Sequence, residues 1–248
     1  MIGTGQRLDG RAAVRAATGD HPYVRLTTAR ALGADDEVTG YRFDDTVVWF
    51  DTGPHGPAGY AIGDAARAVR FLTAPPGPDG PPGRLRSLHL PDLPEPAPVE
   101  FTHIGRWLHL STTTAPAVRP GEERVVPLGE ADHAAIDALL DDALPGSTTR
   151  PGDGRVVGWY GIFAGRRLVA CGADRSRADA GFLASLAVAG DQQGRGLGGT
   201  LTAALTRRLL TRYGHAALGV YVDNVGAIRL YQRLGYTDAL PRTSLHLR

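Results

Sequence analysis

Apolar residues recur along this chain with two different periods, and they do so most sharply after residue 125. Ile136, Leu139, Leu140 and Ala143 fall at i, i+3, i+4 and i+7, which predicts an amphipathic helix over 130–143, stopped by Pro145 and Gly146. Two short apolar runs, 155–163 and 167–173, flank Ala164-Gly165-Arg166 and predict an antiparallel hairpin. The unbroken run 182–188 reads as a buried strand, 196–213 as a helix ending at Gly214, and 217–222 as a second buried strand. A last helix over 225–234 is closed by Gly235 in the C-cap position, and 243–247 suits a final strand.

The first half carries a fainter pattern. A strand pair is expected across 38–51 and a helix over 63–72, where Ala65, Ala68, Val69 and Leu72 share one face. Short strands fit 84–90 and 106–110, giving a small α+β layer. Half of the 18 prolines lie between Pro75 and Pro98, a run that packs little and reads as an extended loop. Residues 111–123 carry turn and breaker residues without a hydrophobic period, so the domain division is placed there: an N-terminal α+β domain over 1–120 and a second domain over 121–248. The order of strand pair, helix and further strands in 1–120 echoes the layout after Val125, consistent with a degenerate copy of the same fold.

Composition narrows the function classes. With 27 basic against 26 acidic residues the formal net charge is +1, so no global field recruits nucleic acid or an anionic membrane, and a small ligand is the better expectation. Cys171 is the single cysteine, which excludes an intrachain disulfide and argues against a cysteine-based zinc site; a reducing, cytoplasmic setting fits. Its place on a predicted strand without a paired histidine reads as core, not as an acyl-carrying nucleophile. His21, His55, His89, His103 and His109 lack ligand spacing, so no metal is expected. The polar start of the chain and the lack of any run of roughly 18 apolar residues predict a soluble, unprocessed protein. Every basic side chain other than histidine is arginine, and asparagine occurs once, at Asn224, which makes that position informative. The oligomeric state stays open, a homodimer being one option.

The chemistry begins at Gln193-Gly194-Arg195-Gly196-Leu197-Gly198-Gly199, between a predicted strand and a helix whose Leu197, Leu201, Ala204 and Leu205 face inward. Glycines let the backbone turn tightly and aim several N–H groups at one spot, and the helix N-terminus adds about half a positive charge. That describes a diphosphate cradle, although an ordinary glycine-rich cap fits as well. Gly194, Gly196 and Gly199 also satisfy the dinucleotide pattern G-x-G-x-x-G, with Asp223 where a ribose-binding acid would sit. Against it, 189–193 separate the strand from the first glycine, and too little chain follows Asp223 for the rest of a doubly wound sheet.

A second segment, 219–236, decides between these. Asn224, Ala227, Tyr231, Leu234, Gly235 and Tyr236 meet the pattern N-x-x-A, a tyrosine four residues on, then L-G-F/Y, after a strand. Gln193, Gly196 and Gly198 meet the pattern Q/R-x-x-G-x-G/A after a strand ending Leu186-Ala187-Val188. In this order and spacing the chain resembles the GNAT family of N-acetyltransferases over roughly 125–247. The resemblance implies an α/β (α+β) fold, a GNAT-like mixed sheet flanked by helices, and acetyl-CoA as co-substrate. It implies that the strands over 182–188 and 217–222 splay apart, with the pantetheine arm bonding to the backbone of Leu186, Ala187 and Val188. Gln193, Gly194, Arg195, Gly196, Leu197, Gly198 and Gly199 would receive the diphosphate, with Asn224 and Ala227 beside it.

The same resemblance makes the reaction a direct attack of a primary amine on a thioester. An ordinary amine, of pKa near 10, must lose a proton, and a departing thiolate, of pKa about 8.5, benefits from an acid. Tyr231 is the expected acid. It shares a helical face with Ala227, Leu230 and Leu234, so it reads equally as a core aromatic with its hydroxyl at the rim. Asn224 has a bland reading too, as a helix cap. Many family members carry a glutamate where this chain has Ala184-Ser185, which leaves proton removal to Asp174, Asp223, a water chain or the first half. Trp107, Trp159 and Tyr160 are candidates for the acceptor side or for core packing. Two rivals remain: a non-catalytic acyl-CoA-binding module and, below it, a nucleotide-binding oxidoreductase.

Overall fold

The computed structural model describes residues 5–29, 38–53, 56–77, 80–93 and 99–247, with the backbone alone at Thr52 and Gly53. His55 and parts of the proline-rich run lie outside the described residues. The chain divides into two compact units, one of Met1–His109, Val220–Asp223 and Ala239–Arg248, the other of Leu110–Gly219 and Asn224–Asp238. A single cut at residue 120 does not reproduce this division. The last strand, β12 (Asp238–Leu247), pairs antiparallel with β5 (Ser87–Pro91) and so returns to the first unit.

In the first unit β1 (Gln6–Asp9), β2 (Thr39–Phe43), β3 (Thr46–Gly53) and β4 (Gly56–Ile62) form consecutive antiparallel pairs. β4 then runs parallel to β5. A parallel pair needs a crossover, supplied here by α3 (Ala65–Leu72). Asp64 starts that helix by accepting the Arg67 N–H at 2.6 Å. The turn into it requires Gly63, at φ +103°, because a Cβ there would stand 2.3 Å from the Asp45 carbonyl oxygen.

Strand alternation sorts the core of this unit onto two faces. Val48 and Phe50 meet Ala68, Val69, Phe71 and Leu72 of α3, whereas Val47 and Trp49 meet Val14 of α1 (Gly10–Ala17) and Tyr23 and Val24 of α2 (Pro22–Thr28). Each such fully buried side chain contributes roughly 1.5–3 kcal/mol. β6 (Phe101–Thr112) lies beside β12, and the Trp107 indole N–H donates to Ser244 Oγ at 2.9 Å.

The second unit positions the candidate site. β7 (Val126–Leu128), β8 (Gly158–Ala164), β9 (Arg167–Asp174) and β10 (Phe182–Val188) pair antiparallel in chain order. α5 (Leu197–Tyr213) then crosses over to β11 (Ala216–Tyr221), which is parallel to β10. α4 (His133–Ala143) buries Ile136, Leu139 and Leu140 against β9 and β10, and α5 buries Leu201, Leu205 and Leu209. α6 (Val225–Arg233) follows β11. Among the described residues no helix is long and apolar enough to cross a membrane.

Candidate active site

β10 is where the regular sheet breaks down. Its register against β9 shifts between Ala184 and Ala187, and Ser185 takes a left-handed backbone, φ +51°. A non-glycine residue there costs about 1–2 kcal/mol, held in place by surrounding bonds. The Ser185 and Ser147 hydroxyls share a hydrogen bond of 2.6 Å, and the Arg175 guanidinium donates to Thr149 Oγ1 at 3.0 Å. Burial, with Arg155 and Arg177 nearby, pushes the Arg175 guanidinium down to about 10. β10 pairs with β11 only at Phe182 with Ala217 and Leu183 with Leu218. Beyond that pair the two strands part, and Leu186, Ala187 and Val188 border a cavity of about 800 Å³.

The glycine turn closes one side of this cavity. Arg167 forks onto Asp191 with bonds of 2.8 and 2.9 Å and holds its carboxyl down to about 2, pinning the approach to the turn. Gln193 Nε2 then donates to the Val188 carbonyl at 3.3 Å. Gly194 and Gly196 adopt φ +75° and +81°, and a Cβ on either would point into open space. Gly196 is the N-cap of α5 and offers no side-chain acceptor. The N–H groups of the first helical turn therefore have no partner inside the helix, and the positive end of the helix faces this corner.

The structure gathers Leu186, Ala187, Val188, Gln193, Gly194, Gly196, Leu197, Gly198, Gly199, Asn224, Ala227 and Tyr231 around the one cavity. Arg195 is the expected member that does not line it. Its side chain is exposed, as an αL-flanked turn residue can be without contacting the ligand space. Arg119 and Arg233 line the cavity and were not foreseen; Arg119 sits in the breaker-rich 111–123 segment, where no hydrophobic period flags a functional residue. No Asp, Glu or His is among the lining residues, so the described wall is neutral or cationic.

Tyr231 is buried, 7% exposed, with its ring 6.1 Å from that of Tyr236. Burial pushes its hydroxyl up to about 12. No hydrogen bond to that hydroxyl is present among the described residues, whereas the Tyr236 hydroxyl is bonded to Thr206 Oγ1 at 2.8 Å. Tyr231 is thus a core ring that also lines the cavity. Asn224 does cap α6, its Oδ1 accepting the Ala227 N–H at 3.1 Å, and the residue also lines the cavity.

Other candidates fall away from the cavity. Asp174 is buried and accepts the Ser176 N–H at 2.9 Å, and Asp223 is exposed; neither lines the cavity. Trp159 is core, and Arg208 lies over the Tyr160 ring at 4.8 Å. Cys171 is fully buried, and burial pushes its thiol up to about 12, as a core residue would show.

Residues 159–244 match the family model described as FR47-like protein. Over that stretch the chain is similar to FR47-like proteins. The GNAT likeness in solved structures extends beyond that span. A GNAT-family protein from Novosphingobium aromaticivorans is 22% identical, covers 92% of this chain and 100% of its own, and superposes with a TM-score of 0.56. A GCN5-related N-acetyltransferase from Kribbella flavida is 18% identical over 94% of this chain and 95% of its own, TM-score 0.51. Another, from Sphaerobacter thermophilus, is 12% identical over 99% and 96%, TM-score 0.51. At these identities the likeness shows the fold, and it takes in the first half of the chain, which the sequence resemblance did not reach. No curated protein matches the sequence.

Proposed function

We propose that this protein is an N-acetyltransferase that moves an acetyl group from acetyl-CoA to a primary amine by direct attack. The observation that carries the reading is the cavity itself. It joins the edge of β10 at Leu186–Val188, paired with β9 but not with β11, to a helix N-terminus behind an open glycine turn, with cationic side chains and no carboxylate in its lining. Such a wall fits a ligand with a diphosphate at one end and an amide-bearing arm at the other. Acetyl-CoA supplies an activated acyl thioester.

The chain's own residues then have separable tasks. Leu197, Gly198 and Gly199 offer helix N–H groups to phosphate oxygens, and the backbone groups of Leu186–Val188 that face away from β9 are offered to the arm and to a polarised carbonyl. Tyr231 holds its proton throughout the physiological range and presents it at the cavity as the general acid. The lack of any lining carboxylate or histidine leaves the base outside this cavity, and it also favours a second reading, a module that binds acyl-CoA without turnover.

Calorimetric titration with acetyl-CoA and with NAD, followed by thiol release over a panel of amines, tests the proposal. Acetyl-CoA binding with amine-dependent thiol release is expected. Binding without release for any amine selects the non-catalytic module, and a preference for NAD refutes both.

A further inference from the structure

We propose that Arg119 is a phosphate ligand for the bound acyl-CoA, contributed from the segment that precedes the FR47-like stretch. The inference rests on reading the cavity as a CoA site.

Three observations converge on this side chain. First, its guanidinium lies against the opening turn of α5: a Cβ added to Gly199 would stand 3.2 Å from Arg119 Nε and 3.3 Å from Cζ. Gly199 therefore has no side chain in the place that the guanidinium occupies. Second, Arg119 Nε is buried without a hydrogen-bond partner, and the guanidinium has no ion pair among the described residues. The nearby carboxylate is already committed, because Glu122 accepts the Arg119 backbone N–H through Oε1 at 2.6 Å and pairs through Oε2 with Arg207. Third, Arg119 lines the same cavity as the glycine turn.

Electrostatics gives the arrangement its meaning. A helix N-terminus carries about half a positive charge, so a cation there is unfavourable by itself. Here an uncompensated guanidinium rests on the first turn of α5, beside N–H groups that also lack partners. An anion in the cavity would answer both, accepting hydrogen bonds from the helix and from a planar fork suited to phosphate oxygens. A buried donor without a partner costs free energy, and at Arg119, unlike a fully enclosed arginine, an anion in the bordering cavity would recover it.

The test is calorimetric binding of CoA and of 3′-dephospho-CoA to wild type, Arg119→Met, Arg119→Gln and Arg119→Lys, with the ligand-free Tm of each. A lost bond to a charged partner is worth roughly ten- to hundredfold in affinity. Arg119→Met and Arg119→Gln should weaken CoA by about that factor, and Arg119→Lys by less. Their ligand-free Tm should hold or rise, since a like charge leaves the positive end of α5. An equal loss for both ligands assigns Arg119 to the diphosphate, and a loss confined to CoA assigns it to the 3′-phosphate; either supports the inference. Wild-type binding with unaltered Met and Gln variants overturns it while leaving the CoA reading intact. A weakened variant with a lowered ligand-free Tm and no recovery in lysine assigns Arg119 to structure and overturns it too. Failure of wild type to bind CoA refutes the cavity reading itself.

Discussion

Replacing Tyr231 by phenylalanine removes one oxygen atom from the cavity wall and nothing from the core. The ring is 7% exposed and rests near Tyr236, and its hydroxyl makes no hydrogen bond among the described residues. The folded, ligand-free protein should therefore lose no stability with it, in contrast to the cost of about 1–3 kcal/mol when a buried partner is orphaned. With the hydroxyl at about 12, transfer to an ordinary thiolate of pKa about 8.5 would be uphill by roughly 5 kcal/mol. The same domain shows how that gap narrows. Burial alone pushes the Cys171 thiol up to about 12, and a sulfur that left while shielded from water would be shifted in the same direction. Donor and acceptor then come near to matching, the condition under which general acid catalysis is effective.

The expected loss in kcat for Tyr231→Phe is about 10²-fold, or roughly 2.7 kcal/mol, with the Kd for acetyl-CoA unchanged. Steady-state thiol release between pH 6 and about 10, paired with single-turnover measurements to show that chemistry limits the rate, would read it. Because the hydroxyl titrates near 12, the wild-type profile should show no alkaline fall belonging to Tyr231 in that window. Unchanged single-turnover rates in the variant would return Tyr231 to a purely structural place, and an alkaline limb that vanishes with the hydroxyl would refute the high pKa.

Gly196→Asp should abolish acetyl-CoA binding, because the site at φ +81° has open space that a carboxylate would fill where phosphate oxygens are expected; wild-type affinity in the folded variant refutes the cradle. Asn224→Ala should cost about 1 kcal/mol in chemical denaturation through loss of the Ala227 cap, whereas Asn224→Asp should keep the cap and lose acetyl-CoA affinity; an Asp variant with full affinity makes Asn224 a cap alone. His89 is held neutral, its pKa pushed down to about 4 chiefly by burial and then by Arg242, so the unfolded chain binds more protons between about 4 and 6.5. Stability should accordingly fall as pH drops through that window, by about 3 kcal/mol at most and less because the ring is partly exposed. Denaturation midpoints that are flat from pH 7 to 5, or a slope that survives His89→Gln, would contradict this.

How much was legible depended on how strongly each segment departs from its surroundings. The run 182–188 coincides with β10, and α5 and α6 begin and end at the glycines and the asparagine that mark them. The strand pair 38–51 and the helix 63–72 also appear, as β2, β3 and α3. Part of what was missed has a common cause: residues that blur the period. β4 is written GPAGYAI, with glycine and proline in a strand, and β7 is only three residues long. β12 begins at Asp238 and not at 243, because Pro241 and the charged but buried Arg242 interrupt the apolar alternation. At the site, the glycine turn announces itself, but nothing in the sequence marks the serine at 185 for a left-handed backbone that non-glycine residues rarely adopt. Arg119 is hidden in the same way, in a segment that reads as a boundary.

Buried arginines with idle donors need separate arguments, and the contrast between two of them shows why only one points to a ligand. Arg242 is 1% exposed, with Nε and Nη1 unpartnered, and desolvation lowers its pKa. Yet its charge is answered from within the first unit: it lies 4.2 Å over the Tyr23 ring and donates through Nη2 to the Tyr23 hydroxyl at 3.0 Å and the His89 carbonyl at 2.6 Å. Closed in by its own partners, it is not among the residues that line the cavity beside the glycine turn. Arg119 has the opposite surroundings. Among the described residues no aromatic ring lies against it and its Nε has no acceptor, it borders a cavity, and it rests against a helix end of the same sign. A fold can carry an arginine like Arg242 through packing alone, because burial and the π-face hold it in one place. It gains nothing from holding Arg119 against α5 unless an anion arrives, which is why the functional weight falls on the partly buried arginine at the cavity and not on the fully buried Arg242.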